Sequence, residues 1–161
     1  MNILVRAYCE HDLPQMIRIW NDIVLAGQAF PQVEPLTPED AVQFFGEQSY
    51  TGVALCGGEV VGLYILHPNN IGRCGHIANA SFAVKADCAG RGIGRLLVCD
   101  CKRMGKELGF KILQFNAVVA TNAAAIHLYT RLGFHRLGRI PGGFMKKDGT
   151  YEDIELFYIE L

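Results

Sequence analysis

Three glycines at alternate positions, Gly90, Gly92 and Gly94, sit in the segment Val84-Lys-Ala-Asp-Cys-Ala-Gly-Arg-Gly-Ile-Gly-Arg95, between an apolar run and a long amphipathic stretch. Glycine takes positive φ freely, so such a loop turns successive main-chain N–H groups toward one point. A helix that follows adds its unpaired N–H groups and the positive end of its dipole. The spacing predicts a pocket for phosphate, although a tight turn into a helix recruits glycine without any ligand. Arg91 and Arg95 weigh on the side of an anion. They open the helix with no acid before Asp100, and cations there oppose the dipole by roughly 0.3–1 kcal/mol each unless a negative ligand reverses the sign. A P-loop needs Gly-Lys-Ser/Thr and a dinucleotide fingerprint needs GxGxxG, whereas residues 90–94 read GxGxG. The phosphate therefore belongs to another kind of carrier.

A second constellation is Asn122-Ala-Ala-Ala-Ile-His-Leu-Tyr-Thr-Arg-Leu-Gly-Phe134. Asn122 suits a helix N-cap and Gly133 a helix terminator. Tyr129 lies two turns along from Asn122 with Ala125 and Ile126 between them, so its hydroxyl can project past small side chains into a cleft. The same spacing fits a core tyrosine bonded to a carbonyl. Asn79 and Asn116 each stand mid-strand in apolar surroundings, where an unpaired amide costs about 1–3 kcal/mol. Each needs a partner, either across the strands or in a bound molecule.

These residues need elements to position them. The chain has 161 residues, half of them hydrophobic and 19% charged, enough for one core, and residues 1–161 are expected to form one domain. A net charge of −1 and the lack of like-charge runs argue against nucleic acid as a bulk electrostatic partner. The six cysteines show no CxxC and no metal-like pairing with histidine, so no metal is expected. Free thiols without a leader or a long apolar span point to a reducing cytosol and no membrane. Apolar periodicity predicts strands over 2–8, 52–56, 59–66, 76–84, 111–119, 134–140 and 151–160, with helices over 12–26, 37–45, 92–108 and 122–132. Gly57-Gly58 reads as a hairpin turn and Thr37-Pro-Glu-Asp as a capped helix start. The strand–helix–strand order in the centre requires a locally parallel pair.

Taken together, the residue 84–95 and 122–134 motifs resemble the two signatures of the GCN5-related N-acetyltransferase (GNAT) superfamily, and the element order is similar over essentially the whole chain. The resemblance implies an α/β fold with a mixed, mostly antiparallel sheet of six to seven strands, a central splayed parallel pair and four helices. It implies acetyl-CoA as acetyl donor, with its pyrophosphate on the amides of Ala89, Gly90, Arg91, Gly92, Ile93, Gly94 and Arg95. Pantetheine would run beside Phe82, Ala83 and Val84, with Asn116, Asn122, Ala125 and Tyr129 along the cofactor arm. Tyr129 would be the general acid for the departing thiolate. The family pattern usually has Gln or Arg where this chain has Ala89, so backbone amides must serve there, with Arg91 and Arg95 reaching the adenosine phosphates. Many members place a glutamate on the strand before the loop. Here that strand has none; His76 is a candidate base, directly or through water, with Asp153 and Glu155 as rivals, although a satisfied structural histidine is the commoner occupant of a strand start.

Residues 75–79, 115–116 and 121–122 are also similar to fungal acetyltransferases that detoxify proline analogues, and the tail Lys147-Asp-Gly-Thr-Tyr-Glu-Asp153 resembles the phosphinothricin acetyltransferase branch. Both imply a small amine bearing a carboxylate as acceptor, with Asn79, Asn116 and Phe30 as acceptor residues and the turn at Gly142-Gly143 nearby. An acetyltransferase of protein N-termini or lysines, or a sensor of acetyl-CoA without turnover, are the alternatives. The sequence leaves the oligomeric state open, and exposed strand edges at the C-terminal hairpin make a homodimer a reasonable assembly.

Overall fold

The computed structural model describes residues 2–161. Seven strands form one sheet: β1 (Ile3–Ala7), β2 (Tyr50–Cys56), β3 (Glu59–Pro68), β4 (Ile77–Val84), β5 (Ile112–Val119), β6 (His135–Met145) and β7 (Tyr151–Glu160), in the order β1-β2-β3-β4-β5-β7-β6. Four helices cover it: α1 (Leu13–Ala26), α2 (Pro38–Gly46), α3 (Ile93–Glu107) and α4 (Ala123–Arg131). None of them is long and apolar enough to cross a membrane.

Local chemistry explains the boundaries. Thr37 caps α2, its hydroxyl oxygen accepting from the Asp40 amide at 3.1 Å with Pro38 at the first helical position. Gly57 and Gly58, at φ +59° and +85°, make the two-residue turn between β2 and β3. Both strands are almost continuously buried because both faces are covered. On one face α1 and α2 bury Met16, Trp20, Ala41 and Phe45 with Leu63, Ile65 and Ala83. On the other, α3 buries Ile93, Leu97 and Cys101 with Tyr64, Ala78, Ala80, Phe115 and Phe157.

One strand differs from expectation. β6 continues to Met145 rather than stopping at residue 140, because Pro141-Gly142-Gly143 forms an irregularity between Ile140 and Phe144 instead of a turn. Gly142 takes φ +61° there, and its amide donates to Asp153 Oδ1 at 3.0 Å. The long strand brings Phe144 and its neighbours back beside the loop after α1.

The parallel pair decides what the sheet can hold. β4 and β5 pair only at Ile77–Ile112 and Ala78–Leu113, then separate. β3 still lines the far side of β4 up to Gly62–Val84, so beyond Ala78 β4 has one free edge.

Candidate active site

The free edge can be assigned residue by residue. The Lys85 amide donates to the Val61 carbonyl and the Asn69 amide to the Ile77 carbonyl, so odd-numbered residues from 77 to 85 turn their peptide groups to β3. The Lys111 amide donates to the His76 carbonyl, on the opposite side. By alternation, the peptide groups of Ala80, Phe82 and Val84 face the gap. They offer an unpaired ladder of donors and acceptors to any extended chain bearing amides. Ala83 departs from the expected set: its peptide groups are turned to β3 and its side chain is buried against the α1 face.

β5 forms the opposite wall. Its pairing with β7 is broken between Phe115 and Val118, which leaves Asn116 and Ala117 bulged into the opening. Asn79 Nδ2 donates to the Gln114 carbonyl at 2.9 Å, stapling the fork just above its vertex. Gln114 Nε2 donates to Asn116 Oδ1 at 3.1 Å, and Asn116 Nδ2 to Asn69 Oδ1 at 2.5 Å. These two mid-strand asparagines thus find partners within the protein, and Asn79 Oδ1 has no donor among the described residues. Asn79 and Ser81 alternate with Ala78, Ala80 and Phe82, so they face the α1 and α2 side, where Phe30 packs on Trp20 at 4.4 Å and closes the cleft.

On the other side the cleft is bounded by Asn122, Ala125 and Tyr129. Asn122 Oδ1 accepts from the Ala125 amide at 3.2 Å as the N-cap of α4. The Tyr129 ring lies 4.5 Å from Phe115 and 5.5 Å from Phe134. Burial, and secondarily the neighbouring Cys101, push its hydroxyl well above the ordinary tyrosine range. That hydroxyl bonds no carbonyl among the described residues, and Tyr129 lines the cleft.

Beyond Val84 comes the glycine loop. Gly90 and Gly92 hold φ +76° and +78°, and a Cβ at either would meet nothing within 4 Å. The amides of residues 90–95 have no acceptor among the described residues. The Ala89 amide is different, because a short turn over Ala86–Cys88 commits it to the Ala86 carbonyl at 3.3 Å. Arg91 and Arg95 are exposed and join none of the ion pairs. At Gly94 a Cβ would stand 3.4 Å from Leu128 Cδ2, so the third glycine lets α4 approach α3.

The three candidate bases lie outside the cleft. His76 is exposed at the closed end of the fork, six residues and ~20 Å along an extended strand from Phe82. Glu155 is 1% exposed and held by Arg136 Nε and Arg139 Nε, both at 2.6 Å. Asp153 accepts from the Gly142 amide and pairs with Arg139 at 3.3 Å. Tyr129 is the one titratable side chain among the cleft-lining residues. Sequence reasoning passed over Ser81, although its alternation with Asn79 places both on one face. It also missed Asn69, whose contact with Asn116 spans 47 residues of chain and leaves no sequence signal.

Comparison with known proteins gives this arrangement a class. Residues 15–134 match the acetyltransferase (GNAT) family, and the chain belongs to that family. N-acetyltransferase aca1 of Schizosaccharomyces pombe is 37% identical over 99 residues, 61% of this chain and 47% of that protein, so the match spans about half of that relative's length. YwnH of Bacillus subtilis, provisionally named a phosphinothricin acetyltransferase, is 27% identical over 94% of this chain and 96% of its own. The structure of a GCN5-related N-acetyltransferase from Kribbella flavida superposes with a TM-score of 0.90 at 34% identity, covering 99% of this chain and 98% of that one. A phosphinothricin acetyltransferase from Sinorhizobium meliloti, solved with AcCoA, shares the fold at a TM-score of 0.92 and 22% identity, covering 100% of this chain and 89% of that one.

Proposed function

We propose that this chain, as one domain over residues 1–161, transfers acetyl from acetyl-CoA directly to the amine of a small molecule, an amino acid or an analogue of one. The observation that carries the reading is the free edge of β4. Peptide groups of Ala80, Phe82 and Val84 face a gap that leads to the loop with the unpaired amides of residues 90–95 and is lined by Tyr129. A diphosphate fits the loop and an amide-bearing arm fits the edge. Bound there, acetyl-CoA supplies an acyl thioester.

Each residue then has a task. The amides of residues 90–95 bind pyrophosphate, and Arg91 and Arg95 pair with the adenosine phosphates. Phe82 and Val84 hold the arm as an added strand would be held, and a strand amide polarises the carbonyl. Asn79 Oδ1, Ser81 and Asn116 orient the acceptor from the α1 side. Tyr129 gives its proton to the leaving sulfur as the nitrogen bonds the acetyl carbon. No carboxylate or histidine is among the described residues that line the cleft, so the acceptor ammonium loses its proton to water before attack. YwnH, similar over nearly the full length, supports the amino-acid acceptor. The free state of all six cysteines fits a cytosolic setting. Exposed Leu137 and Ile140 on the edge strand β6 fit a homodimer.

Release of CoA thiol with a panel of amino acids, amines and peptides tests the reading. Turnover should appear with small amino acids and exceed that with peptides. CoA release no faster than in buffer for every acceptor, with acetyl-CoA still bound, would make the chain a sensor instead.

A further inference from the structure

Beneath α3 lies a buried polar contact that has no part in the transfer steps. Tyr64 of β3 is fully buried, and its hydroxyl donates to Asp100 Oδ2 at 2.7 Å. The Asp100 side chain is 10% exposed, and its other oxygen accepts from Arg103 of the same helix at 2.5 Å. Burial, and next the Asp100 carboxylate, push the Tyr64 hydroxyl far above the ordinary tyrosine range, so it remains a donor at alkaline pH. The ring has one place to lie. A Cβ at Gly52, its register partner on β2, would run into it, and Tyr50 and Phe82 each stand 5.8 Å away.

Stability does not account for this pair. A phenylalanine ring would fill the same space, and apolar partners of similar shape in place of a buried polar pair are often neutral or stabilising. What the pair adds is direction. α3 otherwise meets the sheet through its apolar stripe, and apolar burial is non-directional. Among the described residues the Tyr64–Asp100 bond is the one hydrogen bond that joins α3 to the sheet.

The place of that bond in the sheet carries the functional argument. Tyr64 stands opposite Phe82 and Gly62 opposite Val84, two of the residues whose peptide groups face the gap. Gly62 is a second point where α3 comes down on β3, since a Cβ there would lie 3.0 Å from Leu97 Cδ1 and 3.1 Å from Ile93 Cγ2. Residues 62–64 therefore hold the free edge of β4 through the ladder and, on their face, the helix whose N-terminus presents the amides of residues 90–95.

Resting on the acetyl-CoA site described above, we infer that Tyr64 and Asp100 are positioning residues for the donor: their hydrogen bond sets the N-terminus of α3 at the distance from the β4 edge that lets the diphosphate and the amide-bearing arm of one molecule engage together. Two weak attachments made by one molecule bind far more tightly than either alone, and only where the spacing admits both. Neither residue lines the cleft.

Wild type and Tyr64→Phe, titrated by calorimetry with acetyl-CoA and with its two halves, S-acetylpantetheine and 3′-phospho-ADP, test the spacing directly. Tyr64→Phe should weaken acetyl-CoA about tenfold while each half binds nearly as it does to wild type. In thiol-release kinetics the loss should fall on acetyl-CoA KM with kcat kept. Unchanged acetyl-CoA affinity overturns the inference, and so does an equal loss on either half, which would mean damage within one subsite. Asp100→Asn keeps an oxygen for the hydroxyl and should bind acetyl-CoA like wild type, whereas Asp100→Leu should match Tyr64→Phe; equal losses with both Asp100 variants would assign the effect to charge and overturn it. The double variant Tyr64→Phe, Asp100→Leu should recover Tm without recovering affinity, and recovery of both would make the pair structural only. Wild type that fails to bind acetyl-CoA defeats the transferase reading and the inference together, whereas wild type and variants that bind it equally well defeat the inference alone.

Discussion

Tyr129 holds its proton more firmly than an ordinary tyrosine, because burial among Phe115, Phe134 and Phe157 disfavours the phenolate. Its raised pKa keeps the acid form present across the neutral range and past the usual tyrosine value near 10, so the acid limb of a rate profile is not lost at moderately alkaline pH. On the proposed mechanism the other limb belongs to the acceptor, since no carboxylate or histidine is among the described residues lining the cleft. For wild type, kcat/KM should climb with pH toward the pKa of the acceptor amine without a downturn below it. Tyr129→Phe should lower kcat about 10²-fold or more with acetyl-CoA affinity nearly unchanged, measured by steady-state kinetics beside direct titration. An undiminished rate would remove Tyr129 from the chemistry. The residues around it show what spacing can convey. Asn122 was legible as a cap and Tyr129 as its partner two turns on. Whether the tyrosine hydroxyl was satisfied by a carbonyl depended on what β5 and α4 brought against it, which no local pattern encodes.

At the scale of elements, the β4–loop–α3 unit was the most legible part of the chain. Apolar alternation gave the strand, glycines gave the loop, and the stripe of Ile93, Leu97 and Cys101 gave the helix. Gly92 sits at φ +78° with open space where a Cβ would go. Gly92→Val would therefore strain the backbone by roughly 1–2 kcal/mol and fill the approach to the amides of residues 90–95. Acetyl-CoA affinity should fall at least tenfold by calorimetry, with the fold retained by circular dichroism; normal affinity would refute the anion pocket. β6 was the least legible element. Pro141-Gly142-Gly143 has the composition of a turn, and only the Asp153 carboxylate receiving the Gly142 amide, together with β7 alongside, keeps it in the sheet.

The whole molecule depends on ties between segments distant in sequence. Asp12 is buried at the entrance to α1, where Arg6 of β1 donates to it at 2.7 and 3.0 Å and the Cys9 amide at 2.8 Å. The Arg6 hydrogen bonds hold its carboxyl below the usual carboxylate range, against the opposing effect of burial. A lowered native pKa gives stability that is fully present above the unfolded value near 3.9 and lost as pH falls through the native one. Asp12→Asn should cost about 1.5–3 kcal/mol at neutral pH and flatten the acid limb of Tm against pH; a limb of unchanged steepness would place the acid sensitivity elsewhere. The sequence by itself determined the element order, the glycine loop and the family signatures, because periodicity, caps and glycines act over a few residues. Tertiary structure alone decided that β4 and β5 part after two pairs, that Glu155 is locked by arginines rather than free as a base, and that Phe30 packs on Trp20 beside the cleft. Those outcomes arise from contacts between segments far apart in the chain, whose energies belong to the packed fold and to no single stretch of it.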